Sequence, residues 1–301
     1  MPERVARRSS IAAALDEAVA QLADAGVSDP RREATTLWAA VAGPAVTAGD
    51  VWLARDRDPA PEVTGRFRDA VARRSSGIPF AYAVRRASFR SLDLLLDPRA
   101  LIPRPETEGL VDVVLQWARA RPADRRRAGG RSRDGVVADI GTGCGCIALS
   151  LAVEGDFERV IAVERSREAA ALARDNVERV GPPVPVEVRE GDGLSPLAAG
   201  ALCAIVSNPP YLSDAEYERL DSAVRLFEPR EALAGGPDGL GPTRALLAGG
   251  RARLAPGGIM ALEIDERRAD ETRALAREHG WAGAVVYEDL FGRPRYLLAH
   301  A

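Results

Sequence analysis

The chain contains no lysine: all 41 of its basic residues are arginines, set against 44 Asp and Glu for a net charge of −3. A chain of that balance has no overall electrostatic reason to bind nucleic acid or an anionic membrane directly. We read the missing lysine as coding bias, since no physical argument requires it. Histidine occurs only twice, and cysteine three times, at Cys144, Cys146 and Cys203. Three thiols make no disulfide framework. Cys144-x-Cys146 lies in a glycine loop without further soft ligands, so no metal site is expected. No apolar run approaches the ~20 residues that span a bilayer. Met1-Pro2-Glu3-Arg4 carries charge but lacks the apolar core of a signal peptide. The expectation is a cytoplasmic, monomeric protein with reduced thiols.

What is present suits a globular protein of one large or two modest domains: 301 residues, 46% of them hydrophobic. Residues 9 to about 76 carry helical patterns only. Ile11, Leu15, Ala18, Val19 and Leu22 recur at helical spacing, with Gly26 as the C′ residue. Asp29-Pro30 supplies an N-cap and first-turn proline ahead of Ala34, Leu37, Trp38 and Val41. A third pattern through Val63, Phe67, Ala70 and Val71 stops near Ser75-Ser76-Gly77. This predicts a small helical domain over residues 1–78.

From Pro79 to Pro98 the period changes. Phe80, Tyr82 and Val84, then Phe89, Leu92, Leu94 and Leu96, predict alternating strands in a hairpin linker, residues 79–98. Residues 99–301 then form the larger domain. Within it, the stretch from Arg119 to Gly135 holds seven arginines with Pro122 and Gly129-Gly130, and reads as a solvated loop or insert. Beyond it strands alternate with helices: Val136 to Ile140, Val160 to Val163, Val184 to Val188, Ala204 to Val206, Ile259 to Ile264 and Tyr296 to Ala299. That rhythm predicts an α/β fold with a doubly wound, mostly parallel sheet.

In such sheets ligands bind at the carboxyl ends of strands. The first strand runs into Gly141-Thr142-Gly143-Cys144-Gly145-Cys146, where glycines permit a tight turn and close backbone approach. The next strand ends in Glu164, placed to accept from both hydroxyls of a ribose. The third reaches Gly191-Asp192-Gly193, where Asp192 suits an adenine amino group. Asp139, at the end of the first strand, would meet a cationic amino acid moiety but repel a pyrophosphate. That choice favours S-adenosyl-L-methionine over a nicotinamide cofactor.

The fourth strand delivers Asn208-Pro209-Pro210-Tyr211. The Asn208 side-chain oxygen and the Pro209 carbonyl can accept the two hydrogens of one NH2 group. Neither proline has an N–H, and both have fixed φ, so the loop is stiff and presents acceptors. The Tyr211 ring can lie over a planar amide or base. The bland alternative is a proline turn whose Asn bonds its own backbone. Taken with the cofactor loop, the tetrapeptide points to methylation of an amide or amino nitrogen, without a metal or a strong general base.

These segments resemble the protein-(glutamine-N5) methyltransferases that modify peptide chain release factors, over essentially the whole chain. The marks are Leu101-Ile102-Pro103-Arg104-Pro105-Glu106-Thr107-Glu108, Asp139-Ile140-Gly141-Thr142-Gly143-Cys144-Gly145-Cys146-Ile147-Ala148-Leu149, and Val206-Ser207-Asn208-Pro209-Pro210-Tyr211. Phe227-Glu228-Pro229-Arg230-Glu231-Ala232-Leu233 follows, with Gly235-Gly236 and Asp238-Gly239-Leu240 behind it. DNA adenine methyltransferases share the tetrapeptide but not the proline–arginine–glutamate segments.

The resemblance implies a class I, Rossmann-like methyltransferase domain with a seven-stranded sheet, joined to a helical domain that recognises the protein. It implies cofactor contacts from Gly141 to Gly145, Glu164 and Asn208. It also implies a substrate glutamine, held by Asn208 to Tyr211, in the Gly-Gly-Gln loop of class I release factors. A ribosomal protein glutamine and, more remotely, adenine N6 are the alternative acceptors. Three departures from the family pattern stand out: Gly193 where an aromatic residue is frequent, Asp265 where glycine is usual, and no glycine from Ala83 to Ser88.

Overall fold

A computed structural model describes residues 10–121, 127–128, 131–132 and 135–301, and the chain divides into two units, Met1–Arg86 and Ala87–Ala301. The first unit holds α1 (Ile11–Asp24), α2 (Pro30–Ala42), α3 (Ala48–Ala54), α4 (Pro61–Ser75) and α5 (Phe80–Val84). Ser10 caps α1 through the Ala13 N–H, and Asp29 caps α2 through the Arg32 N–H with Pro30 in the first turn. Gly26 (φ 74°) takes the left-handed C′ position after α1. The apolar stripes meet in one core, where Leu22, Leu37, Trp38, Phe67 and Ala70 are buried. Trp38 and Phe67 meet edge to face, 4.8 Å between centroids.

Two elements here differ from the sequence reading. Helix α3, not among the helices expected, has a capping box between Thr47 and Asp50. Phe80, Tyr82 and Val84, expected in a strand, lie in helix α5. Tyr82, Ala83 and Val84 are buried in succession, which a half-exposed strand does not allow.

The second unit opens on a hairpin of β1 (Arg86–Phe89) and β2 (Leu92–Leu95), followed by α6 (Pro105–Ala120). Most of the arginine-rich stretch lies outside the described residues, apart from two-residue strands β3 (Arg127–Ala128) and β4 (Arg131–Ser132), which pair antiparallel. Next come β5 (Val136–Ile140), α7 (Cys146–Glu154), β6 (Arg159–Glu164), α8 (Arg167–Val180), β7 (Val186–Glu190) and β8 (Leu202–Ser207). The chain continues through α9 (Asp214–Tyr217), α10 (Ser222–Phe227), α11 (Gly241–Gly250), β9 (Leu254–Glu263), α12 (Ala269–Glu278), β10 (Ala282–Glu288) and β11 (Pro294–His300).

Seven strands form one sheet in the order β10-β11-β9-β8-β5-β6-β7. β5 to β9 run parallel, and β11 is antiparallel to both β9 and β10. Every residue of β5 and β8 is buried, as expected for central strands covered on both faces. β10, absent from the sequence reading, is one of the two edge strands, and its residues alternate poorly because most are exposed. The chain winds outward from β5 through β6 to β7, then returns to place β8 on the other side of β5. The order therefore reverses between β5 and β8, the point at which open α/β sheets carry their ligands.

Candidate active site

A cavity of about 900 Å³ opens at that point, lined by residues of the second unit, a volume within the ~300–1,000 Å³ usual for ligand sites. One wall is the loop after β5. Gly141, Gly143 and Gly145 have φ of 71°, 57° and 88°, a backbone that side chains resist. The loop is tied down from below. The Gly141 and Thr142 N–H groups both donate to the Val163 carbonyl (2.9 and 3.0 Å). The fully buried Asn176 donates to the Cys144 carbonyl (2.9 Å). Glu164, at the end of β6, accepts from the Gly143 N–H on one oxygen and the Ser166 N–H on the other, both at 2.9 Å.

The opposite wall is the corner after β8. The Ser207 hydroxyl donates to the Ile140 carbonyl (2.7 Å), joining the two strand ends. Beneath the corner, a Cβ on Gly235 would stand 2.5 Å from the Pro210 carbonyl oxygen, and one on Gly239 would strike the Tyr211 carbonyl. Only glycine fits there, which explains the glycines that follow the glutamate–proline–arginine segment. That segment is anchored in turn: buried Glu228 accepts from Arg104 on both oxygens (2.6 and 2.8 Å) and from the Ile102 N–H. Leu101, Pro103, Arg104 and Pro229 all line the cavity.

Behind the corner lies a polar cluster that sequence reasoning missed. The Asn208 Nδ2 donates to the hydroxyl of Thr107, a buried residue of α6, at 3.1 Å. Close by lies the buried carboxylate of Glu263 at the end of β9, whose charged form Thr107 favours. Burial pushes the Glu263 carboxyl up to about 7, and its Oε2 has no hydrogen-bond partner among the described residues. A lone glutamate inside the apolar run from Ile259 to Ile264 was the available signal, since unpaired buried carboxylates are rare.

Of the residues singled out from sequence, Gly141, Thr142, Gly143, Cys144, Glu164, Asp192, Gly193, Asn208, Pro209 and Pro210 line the cavity together. Three stand back from it. Asp139 is fully buried beneath the glycine loop, where its Oδ2 accepts from the Thr142 hydroxyl (2.6 Å) and the Ala148 N–H (3.1 Å). It braces the loop rather than facing a cationic ligand. Burial pushes it up to about 7, and its Oδ1 lacks a partner among the described residues. Gly145 turns inward, so that a Cβ there would touch Leu149 and Ala173. Tyr211 directs its hydroxyl to Glu263 Oε1 (3.4 Å), and burial raises its phenol well above the ordinary range. It lies outside the lining, where stacking on a ligand was expected.

The donor set fits S-adenosylmethionine. A glycine loop allows close backbone approach, Glu164 and Asp192 offer carboxylates for ribose and adenine, and the Asn208 corner supplies acceptors. The fold and this cavity define a class I, S-adenosylmethionine-dependent methyltransferase.

Comparison with known proteins agrees. Residues 128–234 match the model of the methyltransferase small domain, and residues 13–84 that of the PrmC N-terminal domain. The release factor glutamine methyltransferase of Moorella thermoacetica is 40% identical, over 95% of this chain and 97% of its own. The enzyme of that name from Streptomyces coelicolor is 35% identical, over 94% and 95%. Among solved structures, a methyltransferase from Pyrococcus furiosus shares the fold, with a TM-score of 0.51 at 21% identity over 76% of this chain and 98% of that one. The chain belongs to the release factor glutamine methyltransferase family.

Proposed function

We propose that the chain transfers a methyl group from S-adenosyl-L-methionine to the side-chain nitrogen (N5) of the glutamine in the Gly-Gly-Gln loop of class I peptide chain release factors. Bound there, S-adenosylmethionine supplies an electrophilic methyl on a sulfonium, whose passage to nitrogen releases the thioether and one amide proton. An amide nitrogen is a poor nucleophile, so the residues must orient it. Asn208 Oδ1 and the Pro209 carbonyl accept the two hydrogens of the substrate NH2, aim the nitrogen, and favour the positive charge that develops on it. The proton leaves to water. Gly141 to Cys144, Glu164 and Asp192 hold the cofactor, and Tyr211 braces the corner from behind.

The observation that carries this reading is the Asn208 amide: its nitrogen is occupied by Thr107, so its oxygen is left for a guest. The helical unit is the recognition module for the protein partner, joined through the β1–β2 hairpin to the methyltransferase domain. Trp52 and Leu53 on α3, 61% and 72% exposed, provide apolar surface for that task. The reading places the enzyme in the cytoplasm as a monomer without direct nucleic-acid contacts.

Mass spectrometry of a purified release factor incubated with enzyme and methyl donor tests it. A gain of one methyl on the glutamine of the tripeptide loop is expected. Methylation of a ribosomal protein or of adenine instead, with the release factor untouched, refutes it.

A further inference from the structure

The methyltransferase unit carries apolar surface of its own. Seven large hydrophobic residues are exposed among the described residues, and four of them, Val285, Tyr287, Leu290 and Phe291, fall in one hairpin. Such residues scattered singly need no explanation, but a run of them along an edge strand is a liability that natural sheets avoid. Within β10 the two faces are sorted: Ala284 and Val286 pack on the core, while Val285 and Tyr287 are left exposed. Past the strand, in the turn into β11, Leu290 is 102% exposed and Phe291 74%.

The turn is built to hold them out. The Asp289 carboxylate accepts from the N–H groups of Phe291 (2.9 Å) and Arg293 (3.0 Å). The Asp289 N–H donates to the Arg293 carbonyl (2.8 Å), and the N–H of Gly292, at φ 75°, donates to the Asp289 carbonyl (3.0 Å). The Arg293 guanidinium lies 5.6 Å from the centre of the Phe291 ring. Apolar side chains on a turn closed in this way lose little freedom when a partner covers them.

The register of the sheet says what meets them. Ser207, Leu262 and Leu297 lie in one row across β8, β9 and β11. Because β11 is antiparallel to β9, its first residues lie beside the end of β9, with Tyr296 opposite Glu263. The turn that precedes them is therefore at the same end of the sheet as the corner after β8. Two strand spacings separate β11 from β8, roughly 10 Å. A protein that offers a glutamine side chain to Asn208 must bring its own surface to this end of the sheet.

We propose that the β10–β11 turn, through Leu290 and Phe291, is a docking surface for the protein substrate, taking an apolar patch of the release factor beside its glutamine loop. The docking role rests on the release factor reading of the site given above. It governs how tightly the protein is held and has no part in the chemistry, so its loss belongs in KM rather than in kcat.

In the double variant Leu290→Ser, Phe291→Ser, KM for the release factor is expected to rise on the order of tenfold. Affinity of the release factor for enzyme loaded with S-adenosylhomocysteine, read by calorimetry, should fall by the same factor. Asp289 and Gly292 still close the turn, so kcat at saturation, S-adenosylmethionine affinity and the urea midpoint should stay at wild-type values. Unchanged KM and affinity for the release factor, or a loss confined to kcat, overturns the proposal. So does a wild-type dimer in light scattering that the double variant separates, since a second copy then covers the strip. Should the wild type bind the release factor without methylating it, and the double variant lose that binding, the substrate assignment fails and the docking surface stands. Normal methylation with KM unmoved gives the reverse, and a wild type that does not bind the release factor overturns both.

Discussion

The two loops that face each other across the cavity are opposites in composition and alike in construction. The loop after β5 is built from glycines with left-handed φ, which let its backbone approach a ligand closely while the Gly141, Thr142 and Gly143 N–H groups are spent within the fold. The corner after β8 is built from prolines, which fix φ and carry no N–H. Each is nevertheless backed by a buried carboxylate. Asp139 holds the glycine loop through Thr142 and Ala148, and Glu263 holds the proline corner through Tyr211. Both are pushed up to about 7 by burial, and both keep one oxygen without a partner among the described residues. The pairing teaches that a site made of backbone needs rigid polar support, whichever polarity it shows to the ligand.

The largest test of this contrast removes the acceptor side. Asn208→Ala is expected to lower kcat on the order of 10³-fold while cofactor affinity falls by much less. Near-normal turnover in a single-turnover assay would break the assignment. Next comes the anchor of that side: Arg104→Ala leaves Glu228 buried without its cation and should cost about 3 kcal/mol in denaturant unfolding. The glycine side should answer differently. Asp139→Ala is expected to weaken S-adenosylmethionine binding roughly 30-fold, with kcat at saturation little changed. A variant that loses kcat and keeps affinity would reverse the roles given to the two loops.

The carboxylates can also be compared through stability. Each has a folded-state pKa raised above its unfolded value, so between about 4.5 and 7 the folded protein binds more protons and these groups disfavour it increasingly as pH rises. Asp139→Asn and Glu263→Gln should each reduce that fall on the order of 1 kcal/mol per pH unit within the window, as read from urea midpoints at pH 5 and pH 7. Equal slopes in wild type and variants would contradict the burial argument. Smallest of all, Tyr211→Phe removes a long, 3.4 Å hydrogen bond to Glu263 and should lower kcat less than about threefold. A larger drop would give the hydroxyl a part in the chemistry itself.

The sequence made the ligand-facing residues legible and left their supports hidden. Gly141 to Cys144, Glu164, Asp192 and Asn208 to Pro210 each lie at or within two residues of a strand's end or in the loop that begins there, so local pattern places them at one sheet edge. Thr107 reaches Asn208 from α6 and Glu263 reaches Tyr211 from β9, contacts that only the folded sheet shows. Asp139 is legible as a strand-end carboxylate, but such a residue looks the same in sequence whether it points into the cavity or beneath the loop. Helix α3 and strand β10 escaped for want of burial: α3 contributes only Val51 to the core, and β10 is an exposed edge. Residues 80–84 misled because five residues are too few to separate a period of 2 from one of 3.6.

Proline at position 209 has one more effect, on the lifetime of the enzyme. Asparagine side chains age to aspartate when the next backbone nitrogen attacks their amide, a reaction that consumes the hydrogen on that nitrogen. After Asn208 that nitrogen belongs to Pro209 and carries none. The residue whose conversion to an acid would do most harm here is thus shielded from the commonest route to that damage by the neighbour that stiffens it.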